Sequence, residues 1–254
     1  LGASVLGNPA VADMVKHHAV LYRDLADPLA ILRHRDSTGL RDYWSYVPGG
    51  NNPDEGHREY SQLMSSSLAL ISDHILETYQ LGDYRTLIDV AGGTGHFARM
   101  VKKRYPDIDA TVLDLPEVVS EAKRQFPQSD IRFAATDMFR SPLPQDTELF
   151  SLVRVLHDHD DEPILNLLTR LHAALKPGGH LLIAEPMAGT PGAEPIGDTY
   201  FSFYLWAMGS GRPRTAKELK AMCLAAGFSG IREFKTPIPA LTRVLVAEKA
   251  SSTP

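Results

Sequence analysis

Two hydrophobic periods divide this chain. Over residues 1 to 80 apolar positions recur every three or four residues, in "PAVADMVKHHAVLYRDLADPLAILR" and again in "PDEGHREYSQLMSSSLALISDHILETYQ", the period of amphipathic helices. Between them "SYVPGGNNPDEG" is rich in Pro, Gly and Asn and reads as a loop. From Thr86 the pattern changes to short apolar runs separated by helix-period stretches. It predicts strands at 86 to 90, 110 to 114, 131 to 135, 148 to 155 and 180 to 184, with helices after Gly95, Pro116 and Asp161. "LKPGGHLLIAE" reads as a helix end, a Pro/Gly turn and the fifth strand. A helix over "TAKELKAMCLAAGF" is followed by two β-rich runs, "IREFKTP" and "TRVLVAEK", with no crossover helix between them, so they form an antiparallel edge pair. The expected class is α/β, a mostly parallel seven-stranded sheet with helices on both faces. A helical segment over 1 to 80 precedes this domain, which spans 81 to 250.

Composition narrows the partners. At 254 residues, 43% of them hydrophobic and 22% charged, the chain is long enough for one full α/β domain and an added segment. A net charge of −5 gives no basic field for nucleic acid or anionic lipid, which points to a small or neutral substrate. The single cysteine, Cys223, allows no internal disulfide and suits a reducing, cytoplasmic compartment. No run of about 18 apolar residues and no secretion signal is seen. The chain opens at Leu1 and not at a methionine, which suggests that a preceding segment is absent.

The chemistry concentrates at the expected C-terminal ends of the strands, where an open parallel sheet places its ligand. In "LIDVAGGTGHFARMVKKRYP" a strand ends in Asp89 and Val90 and gives way to Gly92, Gly93 and Gly95 and then to a helix. Such a turn fits either a dinucleotide pyrophosphate or the amino-acid end of S-adenosylmethionine. Asp114, ending strand two, would accept the ribose hydroxyls of either ligand. Asp137, beside Met138 and Phe139, can accept from an adenine amino group while the apolar side chains cover the ring. Asp89 could face an ammonium group, which a nicotinamide cofactor lacks. Together the three acids favour the sulfonium cofactor.

Beyond these residues, "LIDVAGGTG", "YPDIDATVLDLPEVV", "TDMF", "LHDHDDEPILNLL", "LKPGGHLLIAE", "GRPRTAKEL" and "AAGF" resemble the ordered motif set of the small-molecule O-methyltransferases that include caffeic acid and acetylserotonin enzymes. "LYRDLADPLAILR" and "FYLWAMGSGRPRT" look most like the bacterial carotenoid O-methyltransferases, which act on the tertiary 1-hydroxyl of acyclic carotenoids. The resemblance implies a Rossmann-like class I fold and S-adenosylmethionine, released as S-adenosylhomocysteine. It implies cofactor contacts at Asp89, Gly92, Gly93, Gly95, Asp114, Leu115, Asp137, Met138 and Arg154. It also implies a homodimeric full-length protein and a hydrophobic hydroxylated acceptor, with peripheral membrane contact left open. The winged-helix dimerisation domain that usually opens such proteins has no counterpart in residues 1 to 80.

By the same resemblance His157, in "HDH" where the family has "HDW", is the base, and Glu185 is the acid that holds its ring. A second family acid falls at Pro213, so the ring is held differently or by Glu185 alone. His159 replaces a tryptophan, and Val153 stands where plant members often carry lysine. Of the aromatic segment "DTYFSFYLWAM", Tyr200, Phe203, Tyr204 and Met208 are expected at the acceptor. Simpler readings stand beside these. Asp114 could only cap the helix at Pro116, Asp137 could be a turn acid, and the glycines could serve only a tight turn. "HDHDDE" could hold a metal, although Asp160 and Asp161 before Pro163 are explained more simply as a helix start, and no metal is expected. A phenolic or polyketide hydroxyl is the alternative acceptor, and a nicotinamide-dependent oxidoreductase the alternative enzyme.

Overall fold

The computed structural model describes residues 9–33, 38–43 and 68–251. The expected loop over 45 to 56, and the part of the second helical stretch before residue 68, lie outside these.

The seven-stranded sheet is built from β1 (Thr86–Val90), β2 (Asp109–Asp114), β3 (Arg132–Ala135), β4 (Thr147–Val153), β5 (Leu175–Glu185), β6 (Ser229–Phe234) and β7 (Arg243–Glu248). Their order is β3-β2-β1-β4-β5-β7-β6. Neighbours from β3 through β5 pair in parallel, whereas β7 is antiparallel to both β5 and β6, so the expected edge pair is present with β7 as its inner member. The central strands β1, β2 and β7 each carry four consecutive buried residues. Uninterrupted burial follows from having helices on both faces.

Each face has its own core. On one, Phe97, Ala98 and Val101 of helix α4 (His96–Arg104) join Ile71, Ile75 and Leu76 of the helical residues 68–78 against Leu87, Val112 and Leu182. On the other, Ile164, Leu167, Leu168 and Leu171 of α6 (Asp161–Ala174) join Leu219 and Cys223 of α8 (Ala216–Ala225) against Val90, Phe150 and Ile183. Each large apolar side chain so buried stabilises by about 1.5–3 kcal/mol. Helix starts follow local chemistry: Pro116 opens α5 (Pro116–Gln125), and Thr215 and Glu218 form a capping box on α8.

The N-terminal helices α1 (Pro9–Asp24), α2 (Pro28–Arg33) and α3 (Gly39–Tyr43) pack on α7 (Phe201–Met208), where Leu21, Ile31 and Leu40 enclose Tyr204, Leu205 and Met208. Trp206 Nε1 donates to the Ile31 carbonyl at 2.8 Å, and Asp24 accepts the Gly39 and Leu40 N–H groups that open α3. Among the described residues no helix is long and apolar enough to cross a membrane.

Strand ends shift by a residue or two from the sequence reading, β4 stopping at Val153 and not at 155, and one boundary differs by more. The fifth strand begins at Leu175, immediately after α6, and takes in the expected Pro/Gly turn as an irregularity opposite Thr147 and Leu149. The turn is drawn into the sheet because Gly178 N–H donates to the Lys249 carbonyl and Lys249 N–H to that of Gly179, both at 2.9 Å. The two-layer core generates a first prediction. Phe150, fully buried in β4, has packed neighbours on every side, so Phe150→Ala should cost about 3–5 kcal/mol. Denaturant unfolding should show a lower midpoint with an unchanged slope.

Candidate functional site

From β1 the chain runs outward to β2 and β3, then returns to β4 on the other side of β1. Strand order reverses there, which leaves a crevice beyond the C-terminal ends of β1 and β4. A cavity of about 300 Å³ occupies this crevice, and Asp89, Gly92, Gly93, Asp114, Asp137, Met138 and Arg154 all line it. Leu115 lines it as well, while Gly95 closes the turn as the residue before α4.

The glycine turn and the acids interlock. Gly93 and Gly95 turn through left-handed backbone, with φ of +60° and +80°. Gly92 is required for a different reason: a Cβ there would stand 2.4 Å from Asp89 Oδ2. Asp89 is 1% exposed, and its Oδ1 accepts from Ser151 Oγ at 2.6 Å while Oδ2 accepts no hydrogen bond. Burial pushes its carboxyl up to about 7, with the Asp114 charge adding to the rise and the Ser151 bond opposing it. Asp114 accepts the N–H groups of Gly93 and Leu115, each at 2.7 Å, and burial still pushes it up to about 6. The helix start at Pro116 takes no side-chain cap, so Asp114 serves the crevice instead of the helix. Asp137 makes a turn, accepting Phe139 N–H at 2.9 Å, and also faces the cavity. Beside it the Phe139 ring meets His159 edge-on at 4.9 Å. Burial keeps the His159 imidazole below its usual range. An unsatisfied carboxylate oxygen beside a glycine cradle, a held acid at the end of β2 and an apolar wall at 138–139 fit the ammonium, ribose and adenine of S-adenosylmethionine.

A second array adjoins the first. Beyond β4 the chain passes Arg154, at φ +57°, into a single 3₁₀ turn, Leu156–Asp158, that carries His157. Arg154, Val155, Asp158 and His159 border the cavity on either side of His157. Glu185, at the end of adjacent β5, accepts the Val155 and Leu156 N–H groups at 2.8 and 2.7 Å and His157 Nδ1 on its other oxygen. His157 Nε2 stands 3.2 Å from Asp158 Oδ1. Burial by itself would lower the imidazole, but the Asp158 and Glu185 charges outweigh it and hold His157 above its ordinary value. Burial likewise opposes ionisation of Glu185, yet the His157 charge and the three donors keep its carboxyl below the usual range. The ring is therefore held by Glu185 through Nδ1, with the Asp158 carboxylate close to Nε2 and no acid from position 213, which is Pro213.

The aromatic segment divides. Phe201 is edge-on to His157 with centroids 6.0 Å apart, and Tyr200 and Phe203 are half-buried. Tyr204 and Met208 lie in the cluster formed with α1 to α3, and none of Tyr200, Phe203, Tyr204 and Met208 lines the cofactor-sized cavity. Tyr200 and Tyr204 share hydrogen bonds with His18 and His17 of α1, at 2.7 and 2.6 Å. The acids of "HDHDDE" are committed elsewhere. Asp160 accepts the Gly211 N–H at 3.0 Å, and Asp161 pairs with Arg212 and Arg214. Among the described residues no group of three His, Cys, Asp or Glu side chains could hold a metal. Sequence reasoning missed Ser151, which carries no signal in a strand, and the grip of Arg214 on the His157 turn, for which only the pair of basic residues in "RPRT" offers a cue.

Known proteins resemble this chain over most of its length. The chain is 44% identical over 250 residues to a demethylspheroidene O-methyltransferase of Rhodobacter capsulatus, covering 98% of this chain and 63% of that protein. It is 39% identical to the one from Cereibacter sphaeroides, covering all of this chain and 68% of that protein. The chain thus spans about two thirds of these relatives' length. The crystal structure of human N-acetylserotonin methyltransferase with S-adenosylmethionine superposes with a TM-score of 0.80 at 25% identity, over 95% of this chain and 70% of that one. Residues 22–229 match the O-methyltransferase domain, so the chain belongs to the O-methyltransferase family.

Proposed function

We propose that the protein transfers a methyl group from S-adenosylmethionine to a hydroxyl of a hydrophobic small molecule, and that its acceptor is the tertiary 1-hydroxyl of an acyclic carotenoid such as demethylspheroidene. The observation that carries the reaction is the Glu185–His157–Asp158 array beside the glycine-and-acid cavity. The carotenoid acceptor is supported by the two demethylspheroidene enzymes among its relatives. Likeness to the acetylserotonin enzyme supports a phenolic hydroxyl as the second reading.

When bound, S-adenosylmethionine supplies an electrophilic methyl on a sulfonium leaving group. Asp89, Gly92, Gly93 and Gly95 would hold its amino-acid end, Asp114 and Leu115 its ribose, and Asp137, Met138 and Arg154 the rest of the pocket wall. His157 Nε2 takes the proton of the acceptor hydroxyl as methyl transfer proceeds, because a tertiary alcohol is too weak an acid to ionise beforehand. Glu185 fixes the ring through Nδ1 and, with Asp158, stabilises the imidazolium that forms. The acceptor lies against Tyr200 and Phe203, which Tyr204 and Met208 back from within the helical cluster; the edge-on contact of Phe201 with His157 supports this placement. The described helices α1 to α3, within residues 1 to 80, act as a cap on the methyltransferase domain at 81 to 250. The full-length protein is a cytoplasmic homodimer in this reading, supported by the single buried cysteine and by Val15, Tyr22, Leu29 and Leu32, which remain exposed on α1 and α2. Any membrane contact is peripheral.

Three outcomes test the reading. Incubated with S-adenosylmethionine, an acyclic 1-hydroxycarotenoid and a catechol, the full-length protein should methylate the carotenoid by mass spectrometry, and His157→Ala should lose about 100-fold or more in rate. Methylated catechol alone would keep the mechanism and overturn the acceptor. Because Asp158 and Glu185 raise His157, the acidic limb of kcat/KM should lie above pH 6.5 and move to lower pH in Asp158→Asn. Calorimetric titration with S-adenosylhomocysteine should show weaker binding as pH falls below about 7, where Asp89 keeps the proton it must lose to face an ammonium group. Gly92→Ala should weaken binding about tenfold at every pH, about 1.4 kcal/mol.

A further inference from the structure

The turn that carries His157 is gripped from outside by the segment between α7 and α8. Arg214 is 2% exposed, and its Nη1 donates to the Leu156 carbonyl while its Nη2 donates to that of His159, both at 2.7 Å. These carbonyls flank His157 on its two sides. Nε of the same guanidinium donates to Asp161 Oδ1 at 2.9 Å, so one planar group joins three acceptors along residues 156 to 161. Ser210 Oγ donates to the Asp158 carbonyl at 2.7 Å. Gly211 approaches so closely that a Cβ there would lie 2.0 Å from the His157 carbonyl oxygen, at a φ of +77°.

The backbone of Arg214 is anchored elsewhere. Its carbonyl accepts Ala188 N–H at 3.0 Å, and Thr215 bridges Ala188 in parallel. Ala188 lies three residues beyond Glu185 on the chain leaving β5. The side chain of Arg214 thus holds the base's turn, while its main chain holds the extension of the strand bearing the orienting acid. A lysine could not do this, since a single ammonium on a flexible stem lacks the fork that reaches acceptors in three directions.

We propose that Arg214 is a positioning residue that sets His157 against Glu185 by bracing the Leu156 and His159 carbonyls at the two ends of the turn that carries the base. It touches neither cofactor nor acceptor and acts through the imidazole. The inference rests on the reading of His157 as the base, and the test separates the two. Besides Glu185, the groups facing that ring are Asp158 in its own turn, Arg154 at the end of β4, the neighbouring His159 and the Phe201 ring.

The experiment uses the full-length protein with Arg214→Lys and Arg214→Gln, and His157→Ala as a reference. It follows methylation of an acyclic 1-hydroxycarotenoid across pH, S-adenosylhomocysteine binding, thermal unfolding, and the proton NMR signal of His157 Nδ1–H bonded to Glu185. The expected result is cofactor affinity within about twofold of the parent and kcat lowered about 10- to 100-fold in both variants. The acidic limb should be displaced and the downfield Nδ1 proton lost or broadened. In a third variant, Arg214→Ala, added guanidinium should restore part of the rate. Variants that stay folded with the parental kcat, limb and proton signal would overturn the proposal. So would a loss of rate that only tracks loss of folded protein while the limb and signal stay put. If His157→Ala were fully active, the base assignment would fall, and the NMR signal would still decide whether Arg214 positions the ring.

Discussion

A carboxylate sealed between two strands survives only if donors surround it, and the architecture around Glu185 answers that demand. One oxygen takes the two N–H groups of the turn after β4, and the other takes the His157 imidazole. Removing a partner from so buried a charge is expensive, of the order of 3–5 kcal/mol. The turn therefore cannot drift from β5, and the imidazole cannot rotate away. Since β4 and β5 pair in parallel up to Val153 and Ala184, the spacing of base and acid is fixed by sheet register, with only a short turn beyond it.

The same economy governs the cofactor crevice. Asp89 is placed by β1 and tied to Ser151 of β4, its sheet neighbour, so the acid is held by the very pair of strands at which the topology reverses. Gly92 keeps the space above its second oxygen clear of side chain. Two raised carboxyls at one crevice would be a liability in a sealed protein, and they are intelligible as one half of an interaction whose other half is a cationic ligand.

Much of this was legible in the sequence. The period change at Thr86, the acid-then-glycine turn and the strand-end acids at 114 and 137 predict both the sheet and the crevice, because each is a local signal that the fold merely gathers. The contacts that escaped are those made between distant segments. Nothing in a single strand says that Ser151 will meet Asp89, 62 residues earlier. The motif resemblance implies no acid at Pro213, but that Asp158 stands near Nε2 depends on how the 3₁₀ turn closes. The start of β5 was misjudged because a Pro/Gly pair that ends most strands is drawn into this one by Lys249, from the far end of the chain. Tyr204 and Met208 read as pocket residues from their segment alone, whereas their burial is decided by helices that come nearly 200 residues before them.

Glu185 lies opposite Arg243 in the register of β5 with β7, and β7 follows every other described strand in chain order. Until residues 243–248 have left the ribosome, β5 is an unprotected sheet edge, and the strand that bears Glu185 has no partner on one side. Nascent chains of this topology would have every residue of the glycine turn and of the His157 loop in hand, yet no finished centre. A chain in which β7 has not yet docked leaves open the edge of β5, the strand most prone to unwanted pairing.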